Sequence, residues 1–427
     1  MEDPPLEKTV VKRPLPPSHS SVVIYPNHQI ELRMSSDYYV PIEILAEILK
    51  LLPVKSLVQF RSVSKRWKSL IDGSEFIAGY SNGKHLLLSR EGPGGKYVSI
   101  DDDDDATFPH QKASLTMPVL LNRLRVPVLL GSSHGVFFFY GYTNDHNTLA
   151  VLYNPSIRKA VGVVVPFVRA DGMTYLNILG FGVCSSSSSD PKIVNLTRIK
   201  RYNSLDYTIP WQVQVFTLST ATWRSPHSSN PPPRRSIELL CLQVLINGVL
   251  YWLAYDKIPN DGGCRTCKLV IISFDMTTEE FGEITPPHSV LRLCPPGVSL
   301  SQLRDSLVLF ERNVKHTNDN LAFVVWVMED GVSKSFTKLY SVHVGTPFAS
   351  LGGFRKSGEL IIELSEQGHG IYKLLVYDPC SKRTRMVRSD GTRCVSSMYP
   401  YMETLLLLDQ TNLTVYDEIE TIKLATP

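Results

Sequence analysis

The sequence predicts a multi-domain chain, with a small all-α segment followed by a large all-β domain. Two observations lead to this fold class. Apolar residues recur at helical spacing between Val40 and Ile71, whereas beyond about residue 85 short β-rich runs alternate with turn clusters. Strand-turn-strand segments then repeat along the rest of the chain. A length of 427 residues accommodates such an organisation.

Three short helices explain the apolar pattern of the first part. The first is "VPIEILAEILKLLP", in which Pro41 suits the opening position of a helix because that N–H would be unpaired anyway. The second and third are "VKSLVQFRS" and "VSKRWKSLI". So few residues cannot bury all their apolar side chains among themselves. The rest of the chain, or a partner helix, must cover them.

The β-rich part contains six pairs of apolar strands, each joined through an aromatic residue and a turn. With Gly135 and Glu403 as the first and last markers, the period is about 54 residues. Kelch-type propeller blades have a period of about 50 residues and four strands each. Since radial closure protects the sheet edges, we expect an all-β, six-bladed propeller-like domain.

Composition restricts the classes of partner. A net charge of +3 with scattered basic residues gives no strong field for nucleic acid or an anionic membrane. No apolar run reaches the roughly 18 residues of a membrane span. Seven cysteines without even spacing favour a reducing compartment, so the expected location is the cytoplasm, the nucleus or both.

No metal or cofactor is expected. Cys264 and Cys267 form a single CxxC in a Gly/Asp-rich loop, whereas structural zinc requires four ligands, usually from two such pairs. The pattern is typical of loop cysteines.

The pentapeptide "GSSHG" (131–135) matches the G-x-S-x-G nucleophile elbow of serine hydrolases. A working elbow needs a strand, a sharp turn and then a helix, but β-rich "VFFFYGY" follows here. The sequence favours a tight turn into a buried strand. An all-β hydrolase using Ser133 remains as a remote alternative.

The segment "VPIEILAEILKLLPVKSLVQFRSVSKRWKSLIDGSEFIAGY" closely resembles the F-box of plant F-box proteins, with Val40 where the family usually has leucine. Further segments resemble the F-box-associated, kelch-like β-propeller domain (type 1) that follows in such proteins, among them "LYNPSIRKAV", "GFGV", "INGVLYWLA" and "VYDPCSKRTRMV". Their order and spacing after an F-box carry the resemblance.

The resemblance implies a non-catalytic substrate-recognition subunit of an SCF-type ubiquitin ligase. The F-box would dock on a Skp-type adaptor, and through it on a cullin and a RING subunit, while the propeller holds a target protein for ubiquitination and degradation. A scaffold that binds the adaptor without a cullin is the alternative. Carried over residue by residue, the adaptor-binding set is Pro41, Ile44, Leu45, Ile48, Leu52, Pro53, Val54, Leu57, Val63 and Trp67.

Propellers usually bind partners through loops, so the longer insertions are the candidates for target contact. These are residues 184–210, 225–237, 255–268 and 312–320. The expected domains are a disordered tail (1–36), the F-box (38–80), a connecting segment (81–130) and the propeller-like domain (131–425).

Overall fold

The fold is that of a computed structural model. The residues it describes are 40–80, 86–91, 96–102, 108–109, 112–166, 173–183, 190–201, 210–228, 233–234, 236–259, 265–293, 297–315, 320–329, 334–344, 349–365, 372–388, 398–411 and 414–416. The tail expected at 1–36 lies outside them. The chain divides into two compact units, residues 1–45 and 46–427. In the first unit, the Leu45 N–H donates to the Pro41 carbonyl at 3.0 Å, which is the first helical turn.

Four short helices occupy the described residues up to Tyr80. They are α1 (Ile42–Lys50), α2 (Val54–Phe60), α3 (Lys65–Ile71) and α4 (Ser74–Gly79). The Ser64 hydroxyl caps α3 by accepting from the Trp67 N–H at 3.1 Å. The apolar pattern of the sequence predicts the first three helices but not α4, because six residues are too few to show a helical period. Within the described part of the chain, no helix has the length and apolar character needed to cross a membrane.

Beyond residue 85 the described residues form 25 strands in six sheets, which we number as blades 1 to 6. Blade 1 contains β1 (Leu86–Glu91), β2 (Lys96–Asp101) and β3 (Lys112–Ser114). Blade 2 contains β4 (Val128–Ser133), β5 (Val136–Tyr142), β6 (Thr148–Asn154) and β7 (Lys159–Val165). Blade 3 contains β8 (Met173–Val183), β9 (Pro191–Arg201), β10 (Gln212–Thr217) and β11 (Thr222–Arg224).

The second half of the ring follows the same order. Blade 4 contains β12 (Ile237–Ile246), β13 (Val249–Pro259), β14 (Arg265–Asp275) and β15 (Phe281–Ile284). Blade 5 contains β16 (Val298–Leu303), β17 (Ser306–Lys315), β18 (Asn320–Met328) and β19 (Phe336–Val344). Blade 6 contains β20 (Ala349–Phe354), β21 (Leu360–Ser365), β22 (Tyr372–Asp378) and β23 (Arg383–Arg388). Two short strands remain, β24 (Tyr399–Tyr401) and β25 (Val415–Tyr416).

The C-terminal region closes the ring. Strand β24 pairs antiparallel with β1, Leu87 opposite Pro400, and supplies the inner strand of blade 1. Strand β25 adds to blade 2 by parallel pairing with β7. Residues 81–130, expected to be a connecting segment, therefore contribute three strands of blade 1. The inner strand of blade 2, β4, begins at Val128, three residues before the expected start of the propeller-like domain. The strand expected at the last marker, Glu403, in "METLLLLD" is not formed, since residues 402–410 form turns and irregular structure.

Apolar clusters join each blade to the next. One contains residues of blades 3 and 4, centred on Trp252, another spans blades 4 and 5, and a third spans blades 5 and 6. Ile361 of blade 6 packs with Val98 and Ile100 of blade 1, and Tyr401 of blade 1 packs with Phe137 of blade 2. Phe138 and Phe181 stack at 5.2 Å between blades 2 and 3. All six junctions are thus apolar, as expected for a propeller.

A repeated turn explains the repeats seen in the sequence. After the third strand of several blades, an Asx side chain accepts from backbone N–H groups two or three residues on: Asp275 accepts from Thr277 and Thr278, and Asp378 accepts from Cys380. A left-handed residue then closes each turn: Arg158, Ala221, Glu279 or Lys382. The Asn/Asp preference at this position is that of a side chain that mimics a backbone turn.

Buried ion pairs link neighbouring blades near these turns. Glu279, in the β14–β15 turn of blade 4, is 1% exposed, and Arg224 of blade 3 donates to its two oxygens at 2.6 and 2.7 Å. The His227 N–H donates at 2.8 Å and the Lys192 ammonium at 3.2 Å. Burial raises the pKa of Glu279, but the hydrogen bonds from Arg224, His227 and Lys192 outweigh it and lower the pKa from 4.5 to about 2.

A second pair joins blades 1 and 6. Arg355 donates to Asp102 at 2.6 Å, the Lys356 N–H donates to the other Asp102 oxygen at 2.7 Å, and the guanidinium lies 4.1 Å from the centre of the Phe108 ring. Burial raises the pKa of Asp102 despite these contacts. The pair is therefore costly to bury, and Arg355 has a second carboxylate partner, Glu359, at 2.7 Å.

Antiparallel order gives the propeller two distinct faces. We call the end that carries the connections between first and second strands and between third and fourth strands the turn face; it includes 134–135, 247–248, 304–305 and 379–382. The opposite end, the loop face, carries the connections between second and third strands and those between blades. Since β1 is a second strand, its first residue, Leu86, lies at the turn face.

Candidate functional site

The structure separates the ten expected adaptor-binding residues by exposure. Val54 and Leu57 are 1% and 0% exposed, which places them in the part of the set that holds the helices together. A stripe at helical spacing marks an apolar side of a helix but does not tell whether the chain itself covers it.

The remaining residues are accessible in different degrees. Within 46–80, Ile48, Pro53 and Val63 are exposed, while Leu52 and Trp67 are half-buried. Within 40–45, Pro41 and Ile44 are exposed and Leu45 is half-buried.

Sequence reasoning missed Leu51. Its side chain is 83% exposed, more than that of any other large apolar residue described. Leu51 directly follows the last residue of α1, so helical periodicity gave no reason to assign it to a surface. Ile48 and Val63 are exposed as well, at 51% and 66%. Exposed apolar side chains of this kind indicate that a partner covers them.

A charged cluster fixes α2 against α3. Arg61 donates to both oxygens of Asp72, at 2.5 and 3.0 Å, and Lys68 donates to Asp72 at 2.5 Å. Burial raises the pKa of Asp72, but the hydrogen bonds from Arg61 and Lys68 outweigh it, so the pKa lies below 3.8. Trp67 packs edge-on against Phe60 with ring centres 5.0 Å apart. Helices α2 and α3, with the exposed Val63 between them, are therefore held in a defined arrangement.

The turn face of the propeller lies near the Arg61, Lys68 and Asp72 cluster of α2 and α3. Lys159, at the start of β7, donates to the carbonyls of Leu408 and Gln410 in the C-terminal segment. Burial and the nearby Arg61 charge lower the pKa of Lys159, and Asp72 of the same helical cluster raises it in turn. Tyr80 is a second such contact: its hydroxyl donates to the Leu52 carbonyl at 2.7 Å, and burial together with the nearby Glu403 carboxylate of the C-terminal segment raises its pKa.

The segment after β24 mediates this junction. The Asn154 side chain is fully buried and donates to the carbonyls of Thr404 and Leu406 at 3.0 and 2.7 Å. The "LYNPS" element of the sequence thus anchors the C-terminal segment in addition to forming its turn.

The candidate target loops are shorter than the sequence predicted. Residues 191–201 of the insertion expected at 184–210 form strand β9, and parts of the insertions expected at 255–268 and 312–320 extend strands β13, β14, β17 and β18. The connections that remain are 184–190, 202–211, 225–236, 260–264 and 316–319, most of which lie outside the described residues. The strand ends that flank all of these connections except the first belong to the loop face.

The environment of Ser133 does not match a nucleophile elbow. His134 and Gly135 form a two-residue turn between β4 and β5, with φ of +46° and +73°, so a strand and not a helix follows the serine. The Ser133 side chain is buried, and its oxygen accepts from the Val183 N–H of blade 3 at 3.1 Å. A Cβ on Gly135 would lie 2.1 Å from the Met402 carbonyl oxygen, which explains the glycine. The pentapeptide is a blade hairpin.

The cysteine pair shows no metal site within the described residues. Cys267 is exposed and free, and Cys264 lies outside the described residues. No group of three or more His, Cys, Asp or Glu side chains suited to a metal ion occurs in the part of the chain that the structure describes.

Comparison with known proteins assigns both parts of the chain. Residues 40–78 match the F-box domain, and residues 95–411 match the F-box associated beta propeller domain. The F-box/kelch-repeat protein At3g23880 of Arabidopsis thaliana is 26% identical, over 74% of this chain and 82% of that protein. The Arabidopsis F-box protein CPR1 is also 26% identical, over 71% of this chain and 73% of that protein. With a helical F-box and a six-sheet propeller in this order, the chain belongs to the plant F-box proteins that carry an F-box-associated β-propeller.

Proposed function

We propose that this protein is the substrate receptor of an SCF-type ubiquitin ligase. Its F-box binds a Skp-type adaptor, and through it a cullin and a RING subunit, and its propeller binds a target protein. The observation that carries the proposal is the exposure of Leu51, Ile48 and Val63 on an F-box whose core is already complete with Val54 and Leu57. Family membership supports the adaptor as the partner that covers them.

The reaction proceeds by proximity in this proposal. The receptor contributes no acid, base or nucleophile. It holds the target near a ubiquitin-charged enzyme, which raises the effective concentration of the target's lysines. Rate then depends on geometry and residence time, so a fixed junction between F-box and propeller is an advantage. The contacts of Lys159 and Tyr80 support such a junction.

The target binds at the loop face in this proposal. Strand β1 begins at the turn face, whose described connections are mostly short hairpins held by internal hydrogen bonds. Two of the long connections, 202–211 and 225–236, join strand ends that belong to the loop face. Long loops on a rigid scaffold are the usual carriers of binding function.

Co-purification tests the docking surface. The Leu51→Asp, Val63→Asp double variant should lose the adaptor, because two carboxylates would be buried unpaired in the interface at a cost of several kcal/mol. The matched control is Leu339→Asp on propeller strand β19, where an exposed leucine should be replaceable without effect. Undiminished recovery of adaptor with the double variant, with its propeller folded, would refute the surface.

The same experiment separates the two assemblies. Recovery of cullin together with adaptor supports the ligase, whereas adaptor without cullin indicates a scaffold. An activity-based fluorophosphonate probe addresses the hydrolase alternative, since the buried Ser133 should remain unlabelled.

A further inference from the structure

A cavity of about 420 Å³ lies among the inner strands of the propeller. Strands β4, β12, β16, β20 and β24, from five different blades, contribute to its wall. Each is the edge strand of its sheet, so half of its backbone N–H and C=O groups point away from the ladder and toward the centre. The cavity is of the size that small organic ligands occupy.

The strands deviate from regular pairing where they line this cavity. The register shifts in β4 between Leu129 and Gly131, in β12 between Leu239 and Gln243, and in β20 between Leu351 and Gly353. Gly353 has a φ of +114°, which other residues rarely adopt. Bulges are over-represented next to functional sites because they redirect the strand locally. Three of them in the wall of one cavity point to a ligand there.

The wall combines an apolar body with a single charge. Phe310 and Phe354 stack with ring centres 5.4 Å apart, and Leu300, Leu351 and other aliphatic side chains continue the apolar surface. Among the described residues that line the cavity, Arg312 is the only charged side chain, and no carboxylate is present. Arg312 lies one residue beyond the Val298–Glu311 pair, at the loop-face end of blade 5.

We propose that the central cavity binds a small amphipathic organic anion, with its apolar part among the phenylalanines and its acidic group at Arg312. A guanidinium at the edge of a partly enclosed apolar site is suited to a carboxylate or sulfonate, because it offers paired donors with a fixed geometry. The proposal concerns the propeller alone, and its test requires neither adaptor nor target.

Two fluorescent probes with the same body test the charge preference. Anilinonaphthalene sulfonate has an aromatic body with an acidic group, and N-phenylnaphthylamine has that body without it. The full chain should bind the sulfonate about tenfold more tightly, which corresponds to one charge-assisted contact. All measurements use the Leu51→Asp, Val63→Asp background, so that the exposed apolar residues of the F-box do not contribute.

Variants locate the site. Arg312→Gln should lower the affinity for the sulfonate about tenfold and leave that for the neutral probe unchanged, whereas Arg312→Lys retains the preference. Ser301→Trp fills part of the cavity and should remove binding of both probes; Ser299→Trp serves if that variant does not fold. The matched controls are Arg292→Gln and Leu339→Trp, both away from the lining residues, which should bind like the parent.

Three results would overturn the proposal. Equal affinity of the parent for the two probes removes the role of the charge. Unchanged binding in folded Ser301→Trp and Ser299→Trp places the probes elsewhere. Failure of both probes to bind, together with a change in the proteins captured by Ser301→Trp, assigns the cavity to a protein segment instead.

Discussion

Neutralising Glu279 should weaken the propeller by removing the best-paired buried charge between blades 3 and 4. Its pKa falls from 4.5 to about 2 because Arg224, Lys192 and the His227 N–H stabilise the carboxylate. A shift of about 2.5 units corresponds to about 3 kcal/mol of stability at neutral pH. We therefore expect Glu279→Gln to lower the free energy of unfolding by about this amount.

The dependence on pH distinguishes this pair from a packing effect. A carboxylate whose pKa is lowered in the folded state stabilises the protein above the unfolded pKa, and this stabilisation is lost as the pH falls through 4.5 toward 2. The difference between parent and Glu279→Gln should accordingly shrink by about 2 kcal/mol between about pH 7 and about pH 3.

Urea unfolding followed by tryptophan fluorescence measures both quantities, since Trp223 is adjacent to Arg224 in the same cluster. Glu280→Gln, at the exposed neighbour, is the control and should unfold like the parent at both pH values. A loss below about 1 kcal/mol at neutral pH, or a loss that does not change with pH, would refute the electrostatic account.

Three further changes test other parts of the fold. Gly135→Ala should cost roughly 2–5 kcal/mol of stability, because it combines a left-handed φ with a clash against the Met402 carbonyl. Gly248→Ala, with a φ of +79° and open space around it, should cost about 1 kcal/mol. Thermal unfolding of the two variants separates the backbone strain from the clash. Asp102→Ala removes one of the two carboxylates that Arg355 contacts and leaves Glu359 in place, so it should lower the free energy of unfolding by roughly 1–3 kcal/mol, against no change in the exposed turn variant Asp305→Ala; equal melting temperatures would contradict this. Asp72→Asn should accelerate amide hydrogen exchange of residues 65–71 roughly tenfold at neutral pH. The difference from the parent should disappear in acid, because the parent's own Asp72 carboxylate is then protonated. A difference between variant and parent that does not change with pH would exclude the ion pair as its cause.

The sequence predicted the repeated parts of this fold because each carries its own local signal. Asn154, Asp275 and Asp378 each begin the same turn, and His134-Gly135 and Asn247-Gly248 are hairpin turns that short-range rules identify. These signals fix strands and hairpins within a blade. They do not fix which strand completes which blade.

Ring closure was not predictable from those signals. The pairing of Leu87 with Pro400 joins residues more than three hundred positions apart, and neither segment contains the turn signature of the other blades. The docking residues present a similar limit. Val54 and Val63 are both apolar residues of the same helical region, and only the three-dimensional packing determines that Val54 is covered and Val63 is not.

Closure by β24 also affects how the protein is synthesised. The F-box helices leave the ribosome before the propeller, whereas the strand that completes blade 1 is made only after blades 2 to 6. A chain that stops before residue 398 would contain every F-box residue but leave β1 without its inner neighbour. Under the proposed function, such a product would occupy the adaptor without a finished target surface, and so would compete with the intact chain.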